Sequence, residues 1–206
     1  MKYDGIIFDL DGTLWDSSEG VLYTWDHVLR TQPDVTHIPG KAELESVMGL
    51  GAEELTEKLM PYLPLERRLE IFNACAVFEC EHLSVHGGRL YPHLIETLEA
   101  LSKEHPLFIV SNCPDGYIQS FLKAHDTAKF IQDFECIGRT GKPKSENIRL
   151  IAERNGLQNP VYVGDTQWDC DAATAAGVPF IFAAYGFGKV ENKPAIQDPA
   201  ELPGLV

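Results

Sequence analysis

The sequence predicts an α/β protein built on a doubly wound parallel sheet, interrupted early by a purely helical unit. Three observations carry this expectation. Short, nearly continuous apolar runs such as "LFIV", "VYV" and "FIFAA" recur between amphipathic segments, as expected of strands buried on both faces and joined by crossover helices. After the first such run, residues 16–88 carry helical patterns and no strand pattern. The 206 residues suffice for one ordinary core plus a modest insertion, and 44% hydrophobic with 23% charged residues is the composition of a soluble globular protein.

Each element follows in turn. Strands are expected at 3–10, 107–112, 134–138, 161–164 and 179–184. In the interrupting unit, Asp16 with Glu19 three residues later marks a helix start, and Val21, Leu22, Trp25, Val28 and Leu29 then form one stripe. A second amphipathic stretch covers 52–63. A third, 65–83, is apolar on two faces, with Leu65, Leu69, Phe72 and Ala76 on one and Ile71, Cys75 and Phe78 on the other. Further on, 92–103 spaces Leu94, Ile95, Leu98 and Leu101 at the helical period. Residues 145–155 do the same with Ile148, Leu150, Ile151 and Ala152, and Gly156 sits where a C-terminal cap belongs. The expected division is therefore an α/β core of residues 1–15 and 87–206, with a helical unit over 16–86. The C-terminus, rich in Pro, Gly and acids, reads as a loosely packed tail.

Composition narrows the function. Seventeen basic against thirty-one acidic side chains give a formal net charge of −14, which argues against a nucleic-acid surface. No stretch approaches a membrane-spanning length, and acids interrupt the short apolar N-terminal run, so neither a signal peptide nor a membrane partner is expected. The five cysteines are odd in number and lack a C-x-x-C pair, as in reduced thiols of a cytoplasmic protein. The seven histidines do not cluster at a metal-ligand spacing. The sequence leaves the oligomeric state open.

Chemistry gathers where the apolar runs end. In an open parallel sheet, ligands bind at the carboxyl ends of the strands. The first run closes in "IIFDLDGTL", where Asp9 and Asp11 point to the same face of a strand and repel each other. "FIV" leads into Ser111 and Asn112. "FECIG" leads into Arg139-Thr140-Gly141-Lys142-Pro143-Lys144. "VYVG" delivers Asp165, with Asp169 four residues later. Alone, the first aspartate pair would read as well as a turn closing a strand. Together, these carboxylates would raise one another's pKa and neutralise unless a cation held them. Their hard oxygens suit Mg²⁺. One aspartate could then attack phosphorus, while Ser111 and a lysine meet the phosphoryl oxygens. Backbone N–H groups of Gly12 and Thr13 could add donors, and a second aspartate could act as general acid and base.

"DLDGTL", "VSN", "GKPK" and "VGDTQWD" resemble the four motifs of the haloacid dehalogenase-like superfamily of phosphatases. "YPHLIETLEALSK" and "ATAAGVPFIFAAYGFG" are similar to its phosphoglycolate phosphatase-like branch. In that branch a helical cap lies between the first and second motifs. The resemblance implies Asp9 as nucleophile and Mg²⁺ ligand, and Asp11 as general acid/base that also binds metal through its backbone carbonyl. It implies Ser111 and the motif lysine as phosphate ligands, Asp165 and Asp169 as completing or supporting the metal site, and Thr13 and Asn112 as lesser contacts. Helix spacing favours Lys142 as that lysine, whereas the likeness of "KSENI" to a K-G-E-N-I form favours Lys144. Both stay open. The implied reaction is hydrolysis of a small phosphorylated metabolite. A sugar phosphomutase of the same architecture is the nearest rival. A phospho-accepting receiver is disfavoured by the helical insertion and by Asp11. "GLGAEEL" (49–55) is either a plain connection or a loop closing over the leaving group, and Trp25 and Trp168 are expected to pack rather than to bind substrate.

Overall fold

The computed structural model describes residues 2–206. In chain order the elements are β1 (Gly5–Phe8), β2 (Trp15–Asp16), α1 (Ser18–Leu29), α2 (Lys41–Glu45), α3 (Ala52–Leu59), α4 (Leu65–His86), β3 (Arg89–Leu90), α5 (Leu94–Leu101) and β4 (Leu107–Ser111). The chain continues through α6 (Tyr117–Ala124), β5 (Ile131–Cys136), α7 (Ile137–Thr140), α8 (Lys144–Arg154), β6 (Pro160–Gly164), α9 (Gln167–Ala176), β7 (Phe180–Ala183) and β8 (Ala195–Ile196), and closes in a 3₁₀ turn at Pro199–Gly204.

Six strands form one parallel sheet in the order β5-β4-β1-β6-β7-β8. β1 lies between β4 and β6, with Ile6 opposite both Leu107 and Val161. The strand order reverses there, which opens a crevice at the carboxyl end of β1. Alternation along each strand supplies both faces of the sheet. Ile6, Phe8, Ile109, Val161 and Val163 join one apolar cluster with α5 and α6, while Ile7, Phe108, Val110 and Tyr162 join another with Ile148 and Ile151 of α8 and Ala173 of α9. Because both faces are covered, these strands read as unbroken apolar runs.

The helices α1 to α4 follow β2, and their apolar side chains form a third cluster that includes Val21, Trp25, Leu44, Leu59, Ile71 and Cys75. The path out to them and back is an antiparallel ribbon of β2 and β3, pairing Trp15 with Leu90 and Asp16 with Arg89. An ion pair between Arg89 Nη2 and Asp16 Oδ2 at 2.7 Å closes it.

Several expectations need correction. α3 stops at Leu59, since Pro61 cannot continue a helix ladder. α4 buries a single row, Ile71, Cys75, Glu79 and Leu83, and leaves Leu65 44% exposed. The strand expected at 134–138 runs from Ile131 to Cys136, and the chain then turns into α7. The C-terminus is no loose tail. β8 adds to the sheet edge, and Ile196 and Leu202 are each only 1% exposed in the first cluster. Among the described residues, no helix is long and apolar enough to cross a membrane.

Candidate active site

The ends of β1, β6 and α9 bring three carboxylates together. Asp9, directly after β1, carries the ladder on through its N–H to Val163 O at 2.8 Å. Asp165 follows β6 directly, and Asp169 lies in the first turn of α9. One oxygen from each of Asp9, Asp165 and Asp169 lies within 4.8 Å of the others, and all three side chains are buried. Their balancing cation is Lys144, the first residue of α8. Its Nζ donates to Asp9 Oδ1 at 2.9 Å and to Asp169 Oδ1 at 2.6 Å.

One ammonium among three carboxylates leaves negative charge uncompensated, and the proton affinities reflect it. Burial, reinforced by the Asp169 charge and opposed by Lys144, pushes the Asp9 carboxyl up to about 7. Burial, with the charges of Asp169 and Asp9, raises Asp165 well above the usual carboxylate range. Burial would lower Lys144, but Asp169 and Asp9 together outweigh it and hold the ammonium charged. Buried carboxylates with unspent charge and hard oxygen donors are the surroundings that a small divalent cation fits.

Local structure fixes each ligand. Asp169 serves two partners. Its Oδ2 accepts from Thr166 N at 3.0 Å and Thr166 Oγ1 at 2.6 Å, forming the box that starts α9, which leaves Oδ1 for Lys144. Asp165 Oδ2 accepts from Phe187 N at 2.7 Å, and Thr13 Oγ1 lies 3.4 Å from Asp165 Oδ1. Gly12 adopts φ +77°, and a Cβ there would overlap the Asp165 carboxylate. Gly186 faces the same carboxylate and the Gly12 carbonyl, with no room for a side chain. Tyr185 OH donates to Thr13 O at 3.0 Å, tying the 185–188 loop to the first motif.

Asp11 stands apart from this trio. Its Oδ1 accepts from Trp15 Nε1 at 2.9 Å, Ser17 Oγ at 2.6 Å and Tyr117 OH at 3.0 Å. Burial raises its proton affinity, and those three donors pull the other way without cancelling it. Asp11, Ser111 and Asn112 line one end of a cavity of about 70 Å³ between the sheet and the helical insert. Asn112 Nδ2 donates to Gly49 O at 2.8 Å across that boundary, while its Oδ1 is buried without a partner among the described residues. The helical side contributes Trp25 and Glu79, joined by a Trp25 Nε1 to Glu79 Oε2 bond of 2.8 Å. Burial pushes the Glu79 carboxyl up to about 8; the Trp25 donor lowers it and the Asp11 charge adds to the rise.

Of the residues singled out from sequence, Asp9, Asp165, Asp169 and Lys144 meet directly, Gly12 and Thr13 adjoin Asp165, and Asp11, Ser111 and Asn112 face the cavity. Lys142 does not join them. It is exposed, and its backbone is engaged by Thr140 Oγ1 and Asn147 Nδ2, each at 3.1 Å. Met48, Gly49 and Leu50 of the "GLGAEEL" region line the cavity, as does Trp25, whereas Trp168 is 42% exposed. Sequence reasoning missed Ser17, Tyr117, the Phe187 N–H and Glu79. Glu79 did leave a signal, an acid set at i+4 spacing within the row Ile71, Cys75, Leu83.

The profile of the haloacid dehalogenase-like hydrolases matches residues 6–183. The chain belongs to that family. It is therefore an enzyme of the hydrolase class. Curated relatives include the phosphoglycolate phosphatase of Escherichia coli strain K12, 30% identical over 89% of this chain and 82% of that protein. The phosphoglycolate phosphatase of Salmonella choleraesuis strain SC-B67 is 28% identical over the same shares. Among solved structures, a haloacid dehalogenase-like family hydrolase from Streptococcus pneumoniae superposes with a TM-score of 0.84 at 22% identity, covering 98% of each chain. A Lactobacillus plantarum protein provisionally assigned as a phosphoglycolate phosphatase reaches 0.87 at 21% identity, covering 100% of both. At such identities the structural likeness speaks to the fold alone.

Proposed function

We propose that this hydrolase is a Mg²⁺-dependent phosphatase. It cleaves a small phosphate monoester through an aspartyl-phosphate on Asp9, and residues 16–86 form a cap over the leaving group. One observation carries the reading, the contrasting surroundings of two carboxyls only two residues apart. Asp9 lies with Asp165, Asp169 and the Lys144 ammonium, whereas Asp11 lies with Trp15, Ser17 and Tyr117 beside the cavity. The activity named for the curated relatives supports a small phosphorylated molecule as substrate.

Asp9, Asp165 and Asp169 would hold the cation. Bound there, Mg²⁺ supplies positive charge that keeps Asp9 ionised and offsets the charge of the phosphoryl oxygens. Asp9 attacks phosphorus through a carboxylate oxygen, forming one P–O bond as the ester P–O bond breaks. Lys144 and Ser111 donate to the equatorial oxygens, whose charge grows in the transition state. Asp11, holding a proton by virtue of its burial, gives it to the departing alkoxide. It then takes a proton from the water that attacks the phosphoaspartate, and inorganic phosphate leaves with Asp9 regenerated. Helices closing over the crevice exclude bulk water and strengthen these electrostatic effects.

Asp9→Asn should abolish Mg²⁺-dependent phosphate release from an aryl phosphate while the far-ultraviolet circular dichroism stays that of the wild type. Undiminished release by that variant would overturn the assignment. Stoichiometric appearance of inorganic phosphate separates this reaction from transfer to a sugar.

A further inference from the structure

The leaving-group cavity has an unusual polar inventory. Asp11 and Ser111 open onto it from the sheet, and Asp9 and Lys144 are not among its walls, so it accommodates what departs rather than the phosphoryl group. Val21, Leu44, Val47 and Phe72 make it largely apolar, and among the described residues no lysine, arginine or histidine lines it. Apart from Ser111 Oγ, which the phosphatase reading assigns to the phosphoryl oxygens, its side-chain donors are engaged. The Trp25 indole serves Glu79, the Tyr117 hydroxyl serves Asp11 and Ser17, and the Asn112 amide nitrogen serves Gly49 O. The atoms left unpartnered are acceptors. Asn112 Oδ1 has no hydrogen bond, and only Oε2 of Glu79 accepts one among the described residues, although Glu79 is just 7% exposed.

We infer that the cap selects a phosphate monoester whose leaving alcohol carries an ammonium group, with Glu79 as the residue that recognises it. The inference rests on the phosphatase reading above. A cavity with acceptors to spare and no cationic side chain favours a donor over another acceptor, and a cationic donor can displace the Glu79 proton and pair with the carboxylate that remains. Burial without a countercharge is why Glu79 retains a proton up to about 8, and an arriving ammonium supplies the missing charge in its place. A volume of about 70 Å³ admits roughly five water-sized groups at about 10–15 Å³ each, enough for a short amino alcohol whose methylenes meet the apolar walls. A carboxylated leaving group of the same length, as in phosphoglycolate, meets no cationic partner in this cavity and faces Glu79 and Asp11.

The test compares Mg²⁺-dependent phosphate release from three esters of matched length: 2-aminoethyl phosphate, 2-hydroxyethyl phosphate and phosphoglycolate. Wild type and Glu79→Gln are measured side by side, with an aryl phosphate and Asp9→Asn as controls for hydrolysis itself. Wild type should favour the aminoethyl ester over phosphoglycolate by about a hundredfold in kcat/KM, with the hydroxyethyl ester between them. Glu79→Gln keeps a carbonyl oxygen for Trp25 and should cut that ratio at least about tenfold, mainly through KM for the aminoethyl ester. The wild-type ranking stands as a test even if the variant fails to fold. Preference for phosphoglycolate, or a ratio indifferent to Glu79→Gln, with aryl phosphate release still dependent on Asp9, overturns this inference and leaves the phosphatase intact. No Asp9-dependent release from any ester overturns both.

Discussion

Replacing Glu79 by Gln should change how stability depends on pH, and the size of the change follows from the burial of that side chain. Gln preserves the shape and an oxygen for Trp25 Nε1, which now lies 2.8 Å from Oε2. What it removes is a titration. Burial moves the carboxyl from an ordinary 4.5 up to about 8, so between those values the folded protein holds a proton that the unfolded chain releases. The contribution is therefore whole below pH 4.5 and lost as pH rises through 8. At about 1.4 kcal/mol per pH unit, the loss approaches roughly 3 kcal/mol at pH 7 and about 4–5 kcal/mol above pH 8. Urea unfolding of both proteins at pH 5, 7 and 9 measures it, because titrations common to the two largely cancel in their difference. The variant should gain on the wild type by about 3–5 kcal/mol across that range. A difference flat to within about 1 kcal/mol would refute the claim that this carboxyl is desolvated in the folded protein.

The remaining expectations concern the carboxylate cluster. Lys144→Met removes the ammonium between Asp9 and Asp169; it should cost about 3–5 kcal/mol in urea unfolding and lower phosphate release by about a hundredfold or more. Lys142→Ala, at an exposed position, should stay within about 0.5 kcal/mol and close to wild-type activity. Millimolar Mg²⁺ should raise the thermal midpoint, by the equivalent of about 2.7 kcal/mol at a hundred times its dissociation constant, and Asp165→Asn should remove most of the rise. Gly12→Ala should destabilise by at least about 2 kcal/mol, since an L side chain resists φ +77° and its Cβ meets the Asp165 carboxylate; calorimetry decides it.

The parts of this molecule legible in its sequence are those encoded locally. Asp9, Asp11 and Asp165 announce themselves because each ends or follows an apolar run, and the parallel sheet then brings those ends together. The choice between Lys142 and Lys144 was not legible. It turns on where α8 begins, and two residues rotate a side chain by about 200° around a helix. Pro143 as the residue before the first turn settles the register, with Lys144 buried and Lys142 outside. The C-terminus misled for a related reason. Ile196 and Leu202 are isolated apolar residues among Pro and acids, and nothing nearby in the chain reveals the sheet edge that buries them. Glu79 left only its place at i+4 in the row Ile71, Cys75, Leu83; its partner Trp25 lies fifty-four positions away. Tyr117 was invisible for the same reason, as it meets Asp11 across a separation of 106 positions, while Ser17, six positions from Asp11, reaches it only because the chain turns back at Thr13 and Leu14.

The two-stranded ribbon of β2 and β3 has a consequence for specificity. The helices α1 to α4 lie between the two strands of this ribbon in chain order and share an apolar cluster, while α4 also packs against α6 and sets Leu83 into the sheet's own cluster. On the proposed reading, substitutions at the cavity-facing positions of α1 to α3 change which leaving group fits while Asp9, Asp165 and Asp169 keep their places.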